Sequence, residues 1–217
     1  ARTITNALHF DGGNIATYRA MIESLDQNVG KVLAALRAAR VADDTIVVFT
    51  SDNGGERFAK NWPFNGMKGE VLEGGIRTPL LVRWPGRVPA GVVTNEIVQH
   101  HDWLPTFLAM AGEPDINGKL REGYEAAGRK FCVHIDGYDL LPFLTGKGTP
   151  SPRKGFIYFS DDGDLVAVRF ENWKVVFMEQ RCTGTMALWA EPFVPLRMPK
   201  LFNLRTDPFE RADTTSN

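Results

Sequence analysis

The stretch of sequence that decides the fold runs from residue 45 to residue 79 and reads TIVVFTSDNGGERFAKNWPFNGMKGEVLEGGIRTP. Its first six residues, Thr45 to Thr50, are apolar or β-branched without alternation, which is typical of a parallel strand covered on both faces. Asp52 and Asn53 follow this strand directly. Because open α/β sheets bind ligands at the carboxyl ends of their strands, the sequence predicts a functional site at this strand end.

The residues at this strand end suit a hard cation and an anionic substrate. Asp52 and Asn53 offer a carboxylate and an amide carbonyl, which are ligands of Ca²⁺ or Mg²⁺. Lys68 adds a compact positive charge. Taken alone, Asp-Asn-Gly is also an ordinary turn, and a lysine is most often solvated. Gly74 and Gly75 are predicted to allow a tight backbone path, and Glu73 and Arg77 to pair behind the site.

At these residues the chain resembles the sulfatases of the alkaline phosphatase-like superfamily. Their pattern is a strand followed by Ser-Asp-Asn-Gly, then Lys-Gly, then Glu-Gly-Gly-Ile-Arg-x-Pro, and residues 45–79 match each step. Further agreement is found at residues 18–33, 102–106, 136–142 and 201–208. The resemblance implies an α/β fold, an alkaline phosphatase-like sheet with flanking helices, followed by a small antiparallel-sheet subdomain.

The resemblance also implies a division of roles. Sulfatases hydrolyse sulfate esters through a formylglycine hydrate that attacks sulfur, helped by one bound Ca²⁺. By this likeness Asp52 and Asn53 are metal ligands, and Lys68 is a catalytic residue that binds the sulfate. Formylglycine arises from a Cys-x-Pro-x-Arg motif, which surrounds neither Cys132 nor Cys182. The chain therefore resembles the carboxyl-terminal portion of a sulfatase, without the nucleophile, and is expected to be inactive in isolation.

Two other functions remain open at this point. A site of metal and lysine also suits a phosphodiesterase or phosphonate hydrolase of the same superfamily. Alternatively, the chain is a non-catalytic fragment that acts as a binding module. The expected substrate is a sulfated small molecule or glycan. Self-association, or pairing with a missing amino-terminal half, would cover apolar surface that the chain leaves open.

Composition excludes several classes of partner. The chain has 25 basic and 26 acidic residues, so it lacks the basic surplus that nucleic acid or an anionic membrane would require. It has no apolar run of about 18 residues, so no transmembrane helix is expected. Residues 1–13 show no signal peptide pattern, which leaves the compartment open. The two cysteines fit neither a disulfide framework nor a zinc site.

Periodicity outlines the elements. Apolar spacings of three and four predict a helix over residues 14–39 that packs on a sheet. Strands are predicted at 45–50 and 79–84, and Asp102 is predicted to begin a helix that ends at Ala111. Residues 113–130 are polar and predict an exposed excursion, and a short helix is predicted from Asp136 to Gly146. His100 and His101 favour packing at the helix start over a metal site, because adjacent helical residues point apart.

Two features concern the loop and the end of the chain. The loop of residues 54–68 is rich in Gly, Asn and aromatic residues and predicts the lining of a cleft. Trp62, Phe64 and Trp84 either line that cleft or fill a core.

Beyond a linker near residue 148, hairpin spacing predicts strands at 156–160, 165–170 and 173–178. The predicted domains are therefore residues 1–147, the α/β core, and residues 148–217, a small antiparallel β subdomain.

Overall fold

The computed structural model describes residues 14–56, 58–146, 150–181 and 190–214. Contacts among the described residues divide them into two compact units. The first unit takes residues up to Pro85 together with 180–194 and those from Asn203 onward, and the second takes Gly86–Glu179 and Pro195–Phe202. The division predicted from the sequence, between residues 147 and 148, differs from this one and stays a prediction.

The first unit begins with the helix α1, Ile15–Ala38. The side chain of Asn14 caps it by accepting a hydrogen bond of 3.0 Å from the Thr17 amide. This confirms the predicted helix. None of the helix residues is buried, so no sheet among the described residues covers the apolar stripe, and its packing on a sheet stays a prediction. Periodicity shows that a stripe needs cover, but it does not show what supplies the cover.

Two short strands follow in the same unit. β1 is Val47–Thr50 and β2 is Leu80–Arg83, and between them lies a single-turn helix, α2, Glu73–Ile76. β1 and β2 pair antiparallel, with Val47 opposite Arg83. Both predicted strands are confirmed, but the predicted parallel strand covered on both faces is wrong for this pair, and Phe49 is 36% exposed. Apolar content indicates burial and carries no information on strand direction.

The second unit begins with a 3-10 turn, His100–Asp102, that leads into the helix α3, Trp103–Met110. The predicted helix between Asp102 and Ala111 is confirmed, and Pro105 lies in its first turn, where the missing N–H costs little. The exposed excursion predicted for residues 113–130 is wrong. Ile116 and Leu120 are only 4% and 8% exposed there, because one turn of spacing places both on the same helix face. The elements of this region are α4, Ile116–Glu122, β3, Tyr124–Ala126, and β4, Arg129–Phe131.

A short helix and a four-stranded sheet complete the second unit. The helix α5 is Leu141–Leu144, so the predicted start at Asp136 is wrong, and the backbone oxygen of Asp136 instead accepts a hydrogen bond from Arg153. The sheet has the order β5-β6-β7-β8. Its strands are β5, Gly155–Phe159, β6, Leu165–Phe170, β7, Trp173–Gln180, and β8, Phe193–Asn203.

The predicted antiparallel sheet is thus confirmed in its first three strands, whereas β8 was missed. Pro195 and Pro199 lie inside β8 and argue against a strand in a sequence pattern. The strand is tolerated because it is at the edge of the sheet, where a proline need not donate to a neighbour. No helix among the described residues combines the length and apolar character needed to cross a membrane.

Candidate functional site

Backbone hydrogen bonds bring together three separate segments at the end of β1. The Gly54 amide donates to the Gly75 oxygen at 2.7 Å, and the Lys68 amide donates to the Gly55 oxygen at 3.1 Å. The residues just after Asp52 and Asn53 therefore lie against Lys68 and against the Gly74-Gly75 pair. These are the same segments in which the sequence predicts a functional site.

The side chain of Asn61 holds the intervening loop in place. Its Oδ1 accepts from the Gly55 amide at 3.0 Å, and its Nδ2 donates to the oxygens of Gly55 and Gly66, each at 2.9 Å. One amide side chain thus satisfies three backbone groups in a segment without regular secondary structure. Sequence reasoning missed Asn61, because nothing in the local pattern distinguishes it from other loop asparagines.

Where these segments meet, the backbone is packed so closely that only glycine fits at several positions. A Cβ on Gly54 would lie 1.8 Å from the Gly74 oxygen, and one on Gly74 would lie 2.4 Å from the Asn65 oxygen. A Cβ on Gly75 would lie 2.1 Å from the Glu70 oxygen. All of these neighbours are backbone atoms, which cannot rotate away. The tight backbone path predicted at Gly74 and Gly75 is therefore confirmed.

Gly74→Ala is expected to lower the free energy of unfolding by about 1–3 kcal/mol, since backbone must move to admit the methyl group. Gly30→Ala is the matched control. Gly30 lies within α1, and in the part of the chain that the structure describes no atom beyond the helix's own backbone would lie within 4 Å of a Cβ there. This change should therefore raise stability by about 0.5–1 kcal/mol. Urea unfolding of both variants measures the difference. Equal stability of the two variants would contradict the close packing.

Asp52 and Asn53 present oxygen atoms at the strand end. Asp52 is exposed, and among the described residues its carboxylate accepts one long hydrogen bond, 3.5 Å, from the Ser51 hydroxyl. Asn53 donates its Nδ2 to the Gly54 oxygen at 2.8 Å, which leaves Oδ1 for another partner. These donors suit Ca²⁺, but they are two against the six to eight that Ca²⁺ takes. Among the described residues no three His, Cys, Asp or Glu side chains gather as a metal site. The residues fit part of a Ca²⁺ site.

The Lys68 side chain is exposed beside this strand end. Its backbone position is determined by the hydrogen bond to Gly55, so the side chain starts from a fixed point next to Gly55. An ammonium group on a flexible stem can reach an anion that arrives from solvent.

A layer of paired groups supports α2. Glu73 is 1% exposed, and its amide donates to Oε2 of Glu210 at 2.7 Å. Arg77 lies 3.9 Å from the Glu73 carboxylate and 4.6 Å from the centroid of the Phe64 ring. The predicted supporting role of Glu73 and Arg77 is consistent with these contacts. Sequence reasoning missed Glu210, because it is 137 residues away in the chain.

The second unit has a buried ion pair that sequence reasoning also missed. Asp102 is fully buried and Arg153 is 5% exposed. The guanidinium donates to both carboxylate oxygens, at 2.6 Å and 2.9 Å. Asp102 also accepts from the amides of Gln99 and Tyr138, at 2.8 Å and 2.9 Å. This pair therefore joins the start of α3 to the segments before α5 and before β5.

His101 lies at the edge of this ion pair, and its Nε2 is 2.7 Å from Arg153 Nη2. Because Arg153 can only donate, His101 accepts as a neutral ring. Burial lowers the pKa of His101 below its ordinary value, and the Arg153 charge lowers that pKa further. The unfolded chain therefore binds a proton at a higher pH than the folded chain does. As the pH falls below the ordinary histidine pKa and through the lowered folded pKa, the free energy of unfolding decreases.

Comparison with known proteins agrees with this geometry. The family model described as Sulfatase matches residues 2–113. The chain is 34% identical to mouse steryl-sulfatase, over 91% of this chain and 33% of that protein. It is 35% identical to human N-acetylgalactosamine-6-sulfatase, over 89% of this chain and 38% of that protein. The solved structure of the PsFucS1 sulfatase from Pseudoalteromonas sp. is similar with a TM-score of 0.71 and 28% identity, covering 89% of this chain and 37% of that one.

Two facts follow from these matches. The chain spans between a third and two fifths of the length of the relatives named here. Its fold is that of the alkaline phosphatase-like sulfatases, α/β with a small antiparallel-sheet subdomain, as the sequence predicts. A family match over more than half of the chain, together with the strand-end motifs in close contact, leads to one conclusion: the chain belongs to the sulfatase family.

Proposed function

We propose that this chain is part of a sulfatase that hydrolyses sulfate esters. The observation that supports this function is the convergence of residues 52–55, Lys68 and Gly74-Gly75 through the hydrogen bonds of Gly54 and Lys68. Turn chemistry alone would not require three separated motifs to meet. The substrate is a sulfated small molecule or glycan.

In this proposal the residues of the chain position charge around the sulfate. Lys68 binds the sulfate, and its ammonium offsets the negative charge that develops on the leaving oxygen as the ester bond breaks. Asp52 and Asn53 would hold a Ca²⁺ ion through one carboxylate and one amide oxygen. When bound, Ca²⁺ supplies Lewis-acid stabilisation of the sulfuryl oxygens. The backbone contacts of Gly54 and Gly55 keep these groups in one place.

The remaining parts of the site come, in this proposal, from the rest of a longer parent protein. The formylglycine and the other Ca²⁺ ligands lie outside this chain. The exposed apolar side chains of α1 support such pairing, because they are arranged for burial and none is buried among the described residues. They include Ile15, Met21, Ile22, Leu25 and Val32.

Turnover by the full-length parent tests the proposed role of Lys68. Lys68→Ala is expected to lower kcat/KM for an aryl sulfate about 10²-fold or more, because a charge that stabilises the transition state is lost. Lys60→Ala is the matched control, since Lys60 is another exposed lysine of the same loop and should not matter. An unchanged rate for Lys68→Ala would remove Lys68 from the site. Preference of the parent for an aryl phosphodiester would favour the phosphodiesterase alternative.

The isolated 217-residue chain is expected to release no phenol from an aryl sulfate and to bind Ca²⁺ weakly. It has no nucleophile motif, and Asp52 and Asn53 supply too few oxygens for a tight Ca²⁺ site. Calorimetry of the chain with Ca²⁺, with Asp52→Ala as the control, measures the affinity. Tight binding that depends on Asp52 would contradict the proposal that the site needs ligands from elsewhere.

A further inference from the structure

A cleft of about 370 Å³ lies beside the candidate site. We call it the aromatic cleft. Its walls are formed by Glu56, Ala59 and residues 61–67 and, from the end of the same unit, by Phe209 and Arg211. Trp62, Phe64, Met67 and Phe209 supply its large apolar side chains. The sequence left open whether Trp62 and Phe64 line a cleft or fill a core, and the structure places both at this cleft.

Hydrogen bonds hold the walls of the aromatic cleft in place. Asn65 Nδ2 donates to the Phe209 oxygen, which joins the loop to the end of the chain. The Arg211 amide donates to the Asp207 carboxylate at 2.8 Å, and the Arg211 guanidinium lies 5.4 Å from the centroid of the Phe209 ring. Asn61 also lines the cleft, and its three bonds to Gly55 and Gly66 stabilise the floor of the loop. The cleft is therefore largely formed before any ligand arrives.

One large side chain of the cleft remains in solvent. Trp62 is 81% exposed. An indole left in water forgoes the burial that usually stabilises a fold by about 1.5–3 kcal/mol. An exposed aromatic side chain at the rim of a preformed cleft is typical of a binding surface.

The aromatic cleft adjoins Lys68, the residue proposed to bind the sulfate of the substrate. Gly66 and Met67 line the cleft, and Lys68 is the next residue. The Cα atoms of Met67 and Lys68 are thus about 3.8 Å apart. A substrate with its sulfate at Lys68 is therefore within reach of this loop.

We propose that the aromatic cleft binds the alcohol part of the substrate and that this part is a saccharide ring. The proposal rests on the proposed sulfatase function. Two of the eleven lining residues, Glu56 and Arg211, have charged side chains, while the amides of Asn61 and Asn65 hydrogen-bond the backbone of the walls. A sterol has almost no polar groups to pair with charged side chains, whereas a sugar presents hydroxyl groups around its edge and C–H groups on its face. Trp62 packs against the face, and Glu56 and Arg211 hydrogen-bond the hydroxyls.

The test measures binding, so it does not depend on turnover. The 217-residue chain is titrated by calorimetry with a sulfated hexosamine disaccharide, with the same disaccharide without sulfate, and with phenyl sulfate. Trp62→Ala is expected to weaken the affinity for both disaccharides about 10-fold, which corresponds to a loss of about 1.4 kcal/mol in binding free energy. Phenyl sulfate, which lacks the sugar, should be little affected. Arg211→Ala should weaken the disaccharides in the same direction.

Trp173→Ala is the matched control, because Trp173 is 49% exposed on β7 in the other unit and should not change any affinity. Circular dichroism verifies that each variant is folded. If the Arg211→Ala variant is unfolded, the result for Trp62→Ala alone tests the proposal. The proposal is overturned if the unmodified chain binds no disaccharide, if Trp62→Ala and Trp173→Ala bind equally, or if a sterol sulfate binds more tightly than the sugar. If disaccharide binding depends on Trp62 but the full-length parent shows no sulfatase turnover, the saccharide site is supported and the proposed sulfatase function is rejected.

Discussion

Arg153→Met is expected to lower the free energy of unfolding by about 3–5 kcal/mol, because it leaves the Asp102 carboxylate buried without its cation. Asp102 has no exposed surface, so water cannot replace the lost partner. The change also removes the bond from Arg153 to the Asp136 oxygen, at 2.8 Å, and with it a link between two segments. Urea unfolding of the chain, monitored by circular dichroism, gives the difference.

Two further variants make this result specific. Lys119→Met breaks the exposed ion pair between Lys119 and Glu113 and should leave the unfolding midpoint nearly unchanged. The double variant Asp102→Leu with Arg153→Met removes both charges and should recover part of the lost stability, since no unpaired buried charge remains. A loss below about 1 kcal/mol for Arg153→Met alone, as exposed pairs give, would show that this ion pair is not a main support of the unit.

The second large effect concerns the proposed metal ligand. In the full-length parent, Asp52→Ala is expected to abolish tight Ca²⁺ binding and to lower turnover of an aryl sulfate by at least about 10²-fold. Asp52 is the charged donor at the end of β1, and Asn53 alone offers only a neutral oxygen. Calorimetry with Ca²⁺ and a steady-state assay, carried out on the same preparation, measure the two losses together.

Asp44→Ala is the matched control for this experiment. Asp44 is also an exposed carboxylate, but it precedes β1 and thus lies before the start of the strand instead of after its end. Its removal should change neither Ca²⁺ affinity nor turnover. If the parent kept its Ca²⁺ affinity and full activity with Asp52→Ala, the assignment of this strand end as the metal site would be withdrawn.

Much of the fold was predictable because the signals are local. The helix α1 follows from apolar spacing and from Asn14, the strands β1 and β2 from short apolar runs, and the first three strands of the small sheet from hairpin spacing. The motifs of residues 45–79 were sufficient to identify the family, and the matched residues 2–113 include all of them. The roles of Asp52, Asn53 and Lys68 stay predictions until the metal and turnover experiments are carried out.

Other features depended on tertiary structure, because they join residues that are far apart in the chain. Arg153 reaches Asp102 across 51 residues, the Glu73 amide reaches Glu210 across 137, and Asn65 reaches Phe209 across 144. A charged or amide side chain can form hydrogen bonds with many different partners. Which partner it bonds depends on which groups the folded backbone places next to it. The sequence alone therefore determined the helices α1 and α3, the strands β1, β2, β5, β6 and β7, and the family motifs. The tertiary structure decided the antiparallel pairing of β1 with β2, the buried ion pair of the second unit and the walls of the aromatic cleft, since each requires distant segments to be placed side by side.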